Sequence, residues 1–67
     1  MEEFIKYLPK IIKNKVKHTY IEPDFDYSKN RSVQHYYVIL DDDTSFDATT
    51  IKELKEKANQ LIRNKLL

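Results

Sequence analysis

The chain has no cysteine, no glycine and no tryptophan in 67 residues, and only two prolines. Without cysteine, neither a disulfide nor a thiolate metal site can reinforce the fold. A chain of this length buries only about 60% of its unfolded surface. Its stability therefore has to come from helix packing, strand pairing or a partner subunit. The lack of glycine excludes more. Phosphate-binding loops, dinucleotide-binding turns and nucleophile elbows each need a backbone position free of a Cβ. With two histidines, no cysteine and no room for a deep pocket, an enzyme is not expected, and neither is a cofactor. Long apolar runs are missing too. Nothing approaches the ~7–15 residues of a signal-peptide core or the ~20 of a membrane span, and the start Met1-Glu2-Glu3-Phe4 is acidic. The expectation is a cytoplasmic protein with no membrane contact.

What is present is a folded composition, 40% hydrophobic and 34% charged, read as one domain over residues 1–67. The net charge of +1 conceals a strong segregation. Residues 1–20 set five lysines against Glu2 and Glu3, for +3. Residues 21–50 set Lys29 and Arg31 against seven acids, for −5, and residues 51–67 return to +3. A dipolar molecule of this kind steers toward a charged partner or toward a second copy of itself; charge runs are also ordinary solvated surface.

Four segments follow from periodicity. From Glu2 to about Lys17, Phe4, Ile5, Tyr7, Leu8, Ile11, Ile12 and Val16 fall on one half of a helical wheel. Pro9 interrupts that stripe without shifting its phase, so the segment is either a kinked helix or two short ones. From Thr19 to Tyr27, apolar odd positions alternate with the acids Glu22, Asp24 and Asp26, as in a half-buried strand. Pro23 cannot donate to a ladder and places this strand at a sheet edge or at a bulge. Residues 28–32 form a polar turn, with Asn30 best suited to a left-handed backbone. Val33 to Leu40 is apolar on both faces, the mark of a central strand. Asp41-Asp42-Asp43 makes a tight turn, and Thr44-Ser45-Phe46 a short third strand. Thr50-Ile51-Lys52-Glu53 fits a capping box. It opens a helix to about Lys65 with the stripe Ile51, Leu54, Ala58, Leu61, Ile62 and Leu66. The fold class is α+β, a small antiparallel sheet of two or three strands packed with an N-terminal and a C-terminal helix.

Few constellations carry chemistry. Asp41-x-Asp43-x-Ser45 imitates the opening of a calcium loop, but Phe46 stands where a turn-making glycine belongs and Lys52 where a bidentate glutamate belongs. No metal site is expected. His18 and His35 have no acidic residue at a ligand-like offset, and His35, on an apolar strand face, reads as a half-buried structural histidine. Aromatics are more informative: five tyrosines and three phenylalanines make up 12% of the chain. Tyr36 and Tyr37 are adjacent in one strand, so their rings point to opposite faces. If both helices pack on one side, the other ring stands open with apolar companions, either Val38 and Leu40 or Val33 and Ile39. If the helices take opposite sides, everything is buried. An open face of that kind is a binding surface.

The helix–strand–strand–strand–helix order resembles the double-stranded-RNA-binding domain in topology, which implies phosphate contacts. The residues depart from that family's motifs. Thr49-Thr50-Ile51-Lys52-Glu53 stands where its last helix starts with a run of lysines, and Ser32-Val33-Gln34-His35 replaces its Gly-Pro-x-His turn. Val33 to Leu66 also looks like the arm-binding domain of phage integrases and like small antitoxin domains. None of these likenesses rests on a specific motif, and no family is assigned from them.

The expected function is a non-enzymatic regulatory or inhibitory protein, of the kind phages and plasmids encode. It acts through contact with another protein or as a homodimer. Its surface combines Tyr36, Val38 and Leu40, or the alternate face with Tyr37, and an acidic rim of Asp24, Asp26, Asp41, Asp42 and Asp43. The alternative is a nucleic-acid-binding protein that uses Lys6, Lys10, Lys13 and Lys17 of the first helix with Lys29 and Arg31 of the hairpin loop.

Overall fold

A computed structural model describes the backbone of residues 3–66 and the side chains of residues 3–64. The expected helix start at Glu2 and the apolar position Leu66 fall outside the described residues and side chains. Pro9 decides the shape of the N-terminal segment. Its ring has no N–H to give and disfavours helical backbone at Leu8. A 3-10 helix, Glu3–Tyr7, therefore ends before it, and a four-residue helix α1, Lys10–Lys13, begins after it. Pro9 itself is extended (φ −56°, ψ 147°) and serves as the N-cap, its carbonyl accepting from the Lys13 N–H at 2.9 Å. The outcome is two short helices, with Pro9 one position ahead of the first turn. The apolar phase survives the break: Phe4, Ile5, Leu8 and Ile12 are all buried.

The helical reading to Lys17 fails at its far end. Strand β1 runs Val16–Asp26, so Val16 and Lys17 belong to the sheet. Val16 pairs with Leu40 and His18 with Ile39, which leaves Lys17 as the extra residue of a bulge. A β-branched residue paired to a distant strand overrides a weak local helix signal. Strand β2 is Arg31–Leu40 and β3 is Ser45–Ala48, and the three form an antiparallel meander in the order β1-β2-β3. Pro23 thus lies on an edge strand and β2 is central, as their patterns predict.

Both turns solve the lack of glycine with a polar residue of positive φ. Asn30 has φ 53° in the β1–β2 turn, and Asp43 has φ 67° in the β2–β3 turn. Asp26 Oδ1 organises the first turn by accepting from the Ser28 N–H at 3.0 Å, the Ser28 hydroxyl at 2.6 Å and the Lys29 N–H at 3.2 Å. Helix α2, Ile51–Leu61, starts at Thr50, whose Oγ1 accepts from the Glu53 N–H at 3.1 Å; one π-helical turn, Ile62–Leu66, follows it.

All the helical pieces pack on one side of the sheet. Val38, Leu40, Phe46 and Ala48 point to that side and meet Phe4, Leu8, Ile12, Leu54 and Ala58 in one cluster. The helical layer is short. Eleven residues of α2 rise about 17 Å at 1.5 Å each, whereas eleven residues of β1 extend roughly 36 Å at 3.3 Å each. The β1–β2 hairpin therefore overhangs its own core. The expected half-buried strand is mostly exposed, with Ile21 and Phe25 on the helix side at 36% and 39%. No helix among the described residues is long and apolar enough to cross a membrane.

Candidate functional site

Placing both helices on one side leaves the opposite sheet face open, and strand register dictates what stands on it. With Asp26 opposite Arg31 across the turn, Tyr20 falls opposite Tyr37 and Glu22 opposite His35. Directly paired residues of an antiparallel ladder share a face, as do residues two positions along. β3 adds Asp47 opposite Tyr37 and Ser45 opposite Ile39. The open face is thus a lattice of Tyr20, Glu22 and Asp24 from β1, Val33, His35, Tyr37 and Ile39 from β2, and Asp47 from β3.

Its centre is a stack of three rings. Tyr20 lies on Tyr37 with centroids 4.8 Å apart and planes at 19°, and His35 lies against Tyr37 at 4.5 Å and 15°. His35 is also bound at both ring nitrogens: Asp24 Oδ2 is 3.1 Å from Nδ1 and Asp47 Oδ2 is 2.5 Å from Nε2. An ionised carboxylate only accepts, so a protonated His35 donates from both ring nitrogens, one bond to each carboxylate. The hydrogen bond from Asp47, then that from Asp24, raises the His35 pKa from its ordinary 6.5. Reciprocally, the hydrogen bond to His35 lowers Asp24 from 3.8, helped by the Phe25 N–H. Partial burial, the largest cause, and the negative charge of Glu22 and Asp47 raise the Tyr37 hydroxyl, which keeps it a neutral donor. The same register puts Asp26 and Arg31 on this face at the turn end, so even with His35 protonated four carboxylates against two cations leave it net negative. Tyr20, 41% exposed, is the most accessible of the three stacked rings.

The structure sorts the expected contact residues. Val38 and Leu40 are 0% and 3% exposed beneath the helices, and Tyr36 is half-buried against Phe4 at 5.1 Å, so these three form core rather than contact surface. The choice falls to the alternate face, that of Tyr37. The expected acidic rim is divided. Asp24 stands on the open face, whereas Asp26 is absorbed in the hairpin turn, its pKa lowered chiefly by the Ser28 hydroxyl. Asp41, Asp42 and Asp43 occupy the β2–β3 turn at the other end of the hairpin. There the Asp41 N–H donates to the Lys15 carbonyl, Asp42 Oδ1 accepts from the Thr44 N–H at 2.9 Å, and Asp43 pairs with Lys17 at 3.4 Å. These oxygens build a turn, and no group of metal-ligating side chains occurs among the described residues.

Tyr20, Glu22 and Asp47 escaped the sequence reading as site residues. For Tyr20 and Glu22 the signal was available, because fixing the turn at residues 27–30 sets the β1–β2 register; Asp47 is placed only by the pairing of β3 with β2.

The cations named for phosphate contact do not share one face. Lys6, Lys10 and Lys13 lie on the helical pieces, and Lys17 is ion-paired in the bulge. Lys29 and Arg31 sit at the far end of an eleven-residue strand, about 30 Å from Lys17. A second surface feature lies on the helical layer, a groove of about 740 Å3 lined by Tyr7, Ile51, Lys52, Lys55, Glu56 and Asn59. Comparison of the chain with family models, with curated proteins and with solved structures found no match.

Proposed function

We propose that this is a non-enzymatic binding protein, regulatory or inhibitory in action, whose open sheet face takes a basic segment of a partner protein. One observation carries the reading: the Tyr20–Tyr37–His35 stack lies uncovered with Glu22, Asp24 and Asp47 around it. Aromatic faces attract arginine and lysine, and carboxylates at the same height fix their orientation. The surface is built on strands rather than loops, and His35 ties Asp24 of one edge strand to Asp47 of the other. That clamp limits the ordering cost of binding around His35. Because both nitrogens of His35 are engaged, neither is free to act as a catalytic base, which supports a binding role.

Titration calorimetry with an arginine-rich and an aspartate-rich peptide tests this. The basic peptide should bind at low salt and weaken as salt rises. Tyr20→Ala should weaken it roughly 2- to 5-fold, and Glu22→Lys should weaken it further. Equal binding by the Glu22→Lys protein would overturn the reading. So would binding of duplex or single-stranded nucleic acid in place of the peptide, with the steep salt dependence of phosphate contacts.

A further inference from the structure

The segregated charge of the chain becomes, in three dimensions, a difference between two sides of one molecule. The open sheet face carries Glu22, Asp24 and Asp47 around His35, with Asp26 and Arg31 paired on the same face at its turn end. The groove lies across the helical layer. On a helix advancing 100° per residue, Lys52, Lys55, Glu56 and Asn59 occupy the side of α2 turned away from its buried Leu54 and Ala58. Its floor is apolar, formed by Ile51 and the ring of Tyr7, which is 49% exposed. Lys6 adds a third ammonium, 5.3 Å from the Tyr7 ring centroid. Among the described residues the ammonium groups of Lys52 and Lys55 have no ion partner, and Glu56 is the one acid lining the groove.

Resting on the binding role of the open sheet face, we propose that the basic surface it takes is the α2 groove of a second copy of this chain. Tyr20 of one copy enters between Tyr7 and Ile51 of the next, while Glu22 and Asp24 meet Lys52 and Lys55. Charge complementarity selects this occupant: the acidic face needs cations beside an apolar surface, and the groove supplies both. The two surfaces lie on opposite sides of a two-layer molecule, so one contact leaves a free face at one end and a free groove at the other. Such a heterologous contact propagates. The assembly is front-to-back and grows with concentration instead of stopping at a closed dimer.

Sedimentation of the full chain over a range of concentrations tests this at about 10 mM and at ~1 M salt, where the Debye length is about 30 Å and about 3 Å. The weight-average mass should climb past that of a dimer at low salt and collapse to the monomer at high salt. Glu22→Lys and the double variant Lys52→Glu/Lys55→Glu should each stay monomeric, with unchanged circular dichroism. An equimolar mixture of the two should associate again, because the intact acidic face of the Lys52→Glu/Lys55→Glu protein meets the intact groove of the Glu22→Lys protein. A wild type that stays monomeric at low salt, a mass that levels off at the dimer, or a mixture that fails to associate would each overturn the proposal. The Lys52→Glu/Lys55→Glu protein keeps an intact sheet face and should bind the basic peptide as wild type does. Failure of self-association with peptide binding retained sinks the front-to-back contact alone, whereas loss of both sinks the open-face reading as well.

Discussion

A histidine ring held between two carboxylates keeps its proton longer than a free one, and the sign of that effect fixes a pH dependence. Four groups face His35: Asp24 and Glu22 from β1, Asp47 from β3, and the Tyr37 ring from its own strand. Since folding raises the His35 pKa, its contribution to stability is complete below the ordinary value of 6.5 and is lost as pH rises through the higher folded value. Asp24 is lowered, so its contribution is complete above 3.8 and is lost as pH falls through the lower folded value. The clamp is whole between those limits. The melting temperature of the wild type should decline as pH climbs above 6.5, and His35→Gln should flatten that alkaline limb. Parallel alkaline limbs in the two proteins would show that the ring is not held as a cation. Chain position gives no hint of this clamp. Asp24 and Asp47 stand eleven and twelve residues from His35, and only the pairing of three strands brings them together.

Elements differ in how far their determinants are local. Helix α2 carries its cap, its apolar stripe and its charged face within a dozen residues, and all were legible in the sequence. Leu54 is fully buried whereas Leu61 is half-buried. Leu54→Ala should therefore cost about 2–5 kcal/mol, Leu61→Ala distinctly less, and Thr50→Ala about 1 kcal/mol through the lost cap. Denaturant unfolding gives all three; equal losses at Leu54 and Leu61 would mean that α2 is rotated from its observed position. The N-terminal segment was legible only as two alternatives. Its apolar stripe argues for continuity and Pro9 for a break, and both are local. The start of β1 at Val16 depends on pairing with Leu40, which no window of sequence contains. The composition of β2 likewise gave its central place but not its open side. Val33, His35, Tyr37 and Ile39 are uncovered because both helical segments chose the other face.

At the scale of the whole molecule, the hairpin is longer than the layer that covers it, and the chain is consequently two-ended. The buried residues of the sheet, Val38, Leu40, Phe46 and Ala48, all lie at the end near the helices. Toward the turn, no residue of β1 or β2 from Ile21 to Gln34 is buried. β3 pairs only with Tyr36 to Ile39, so the distal half of β2 has β1 as its one neighbour among the described residues. A two-stranded ribbon without a core is marginal on its own, and amides in such a region exchange through local opening rather than global unfolding. Amide exchange should thus divide the molecule. Val38, Leu40, Leu54 and Ala58 should exchange at the rate set by global stability, and residues 22–34 much faster, except near the carboxylate clamp on His35. Adding a basic peptide, or raising protein concentration at low salt, should slow exchange around Tyr20, Glu22 and His35 in particular, because an occupant of the open face bridges all three strands. Uniform protection along the hairpin in the free protein would show that the overhanging arm is as firmly held as the core, and the division drawn here would fail.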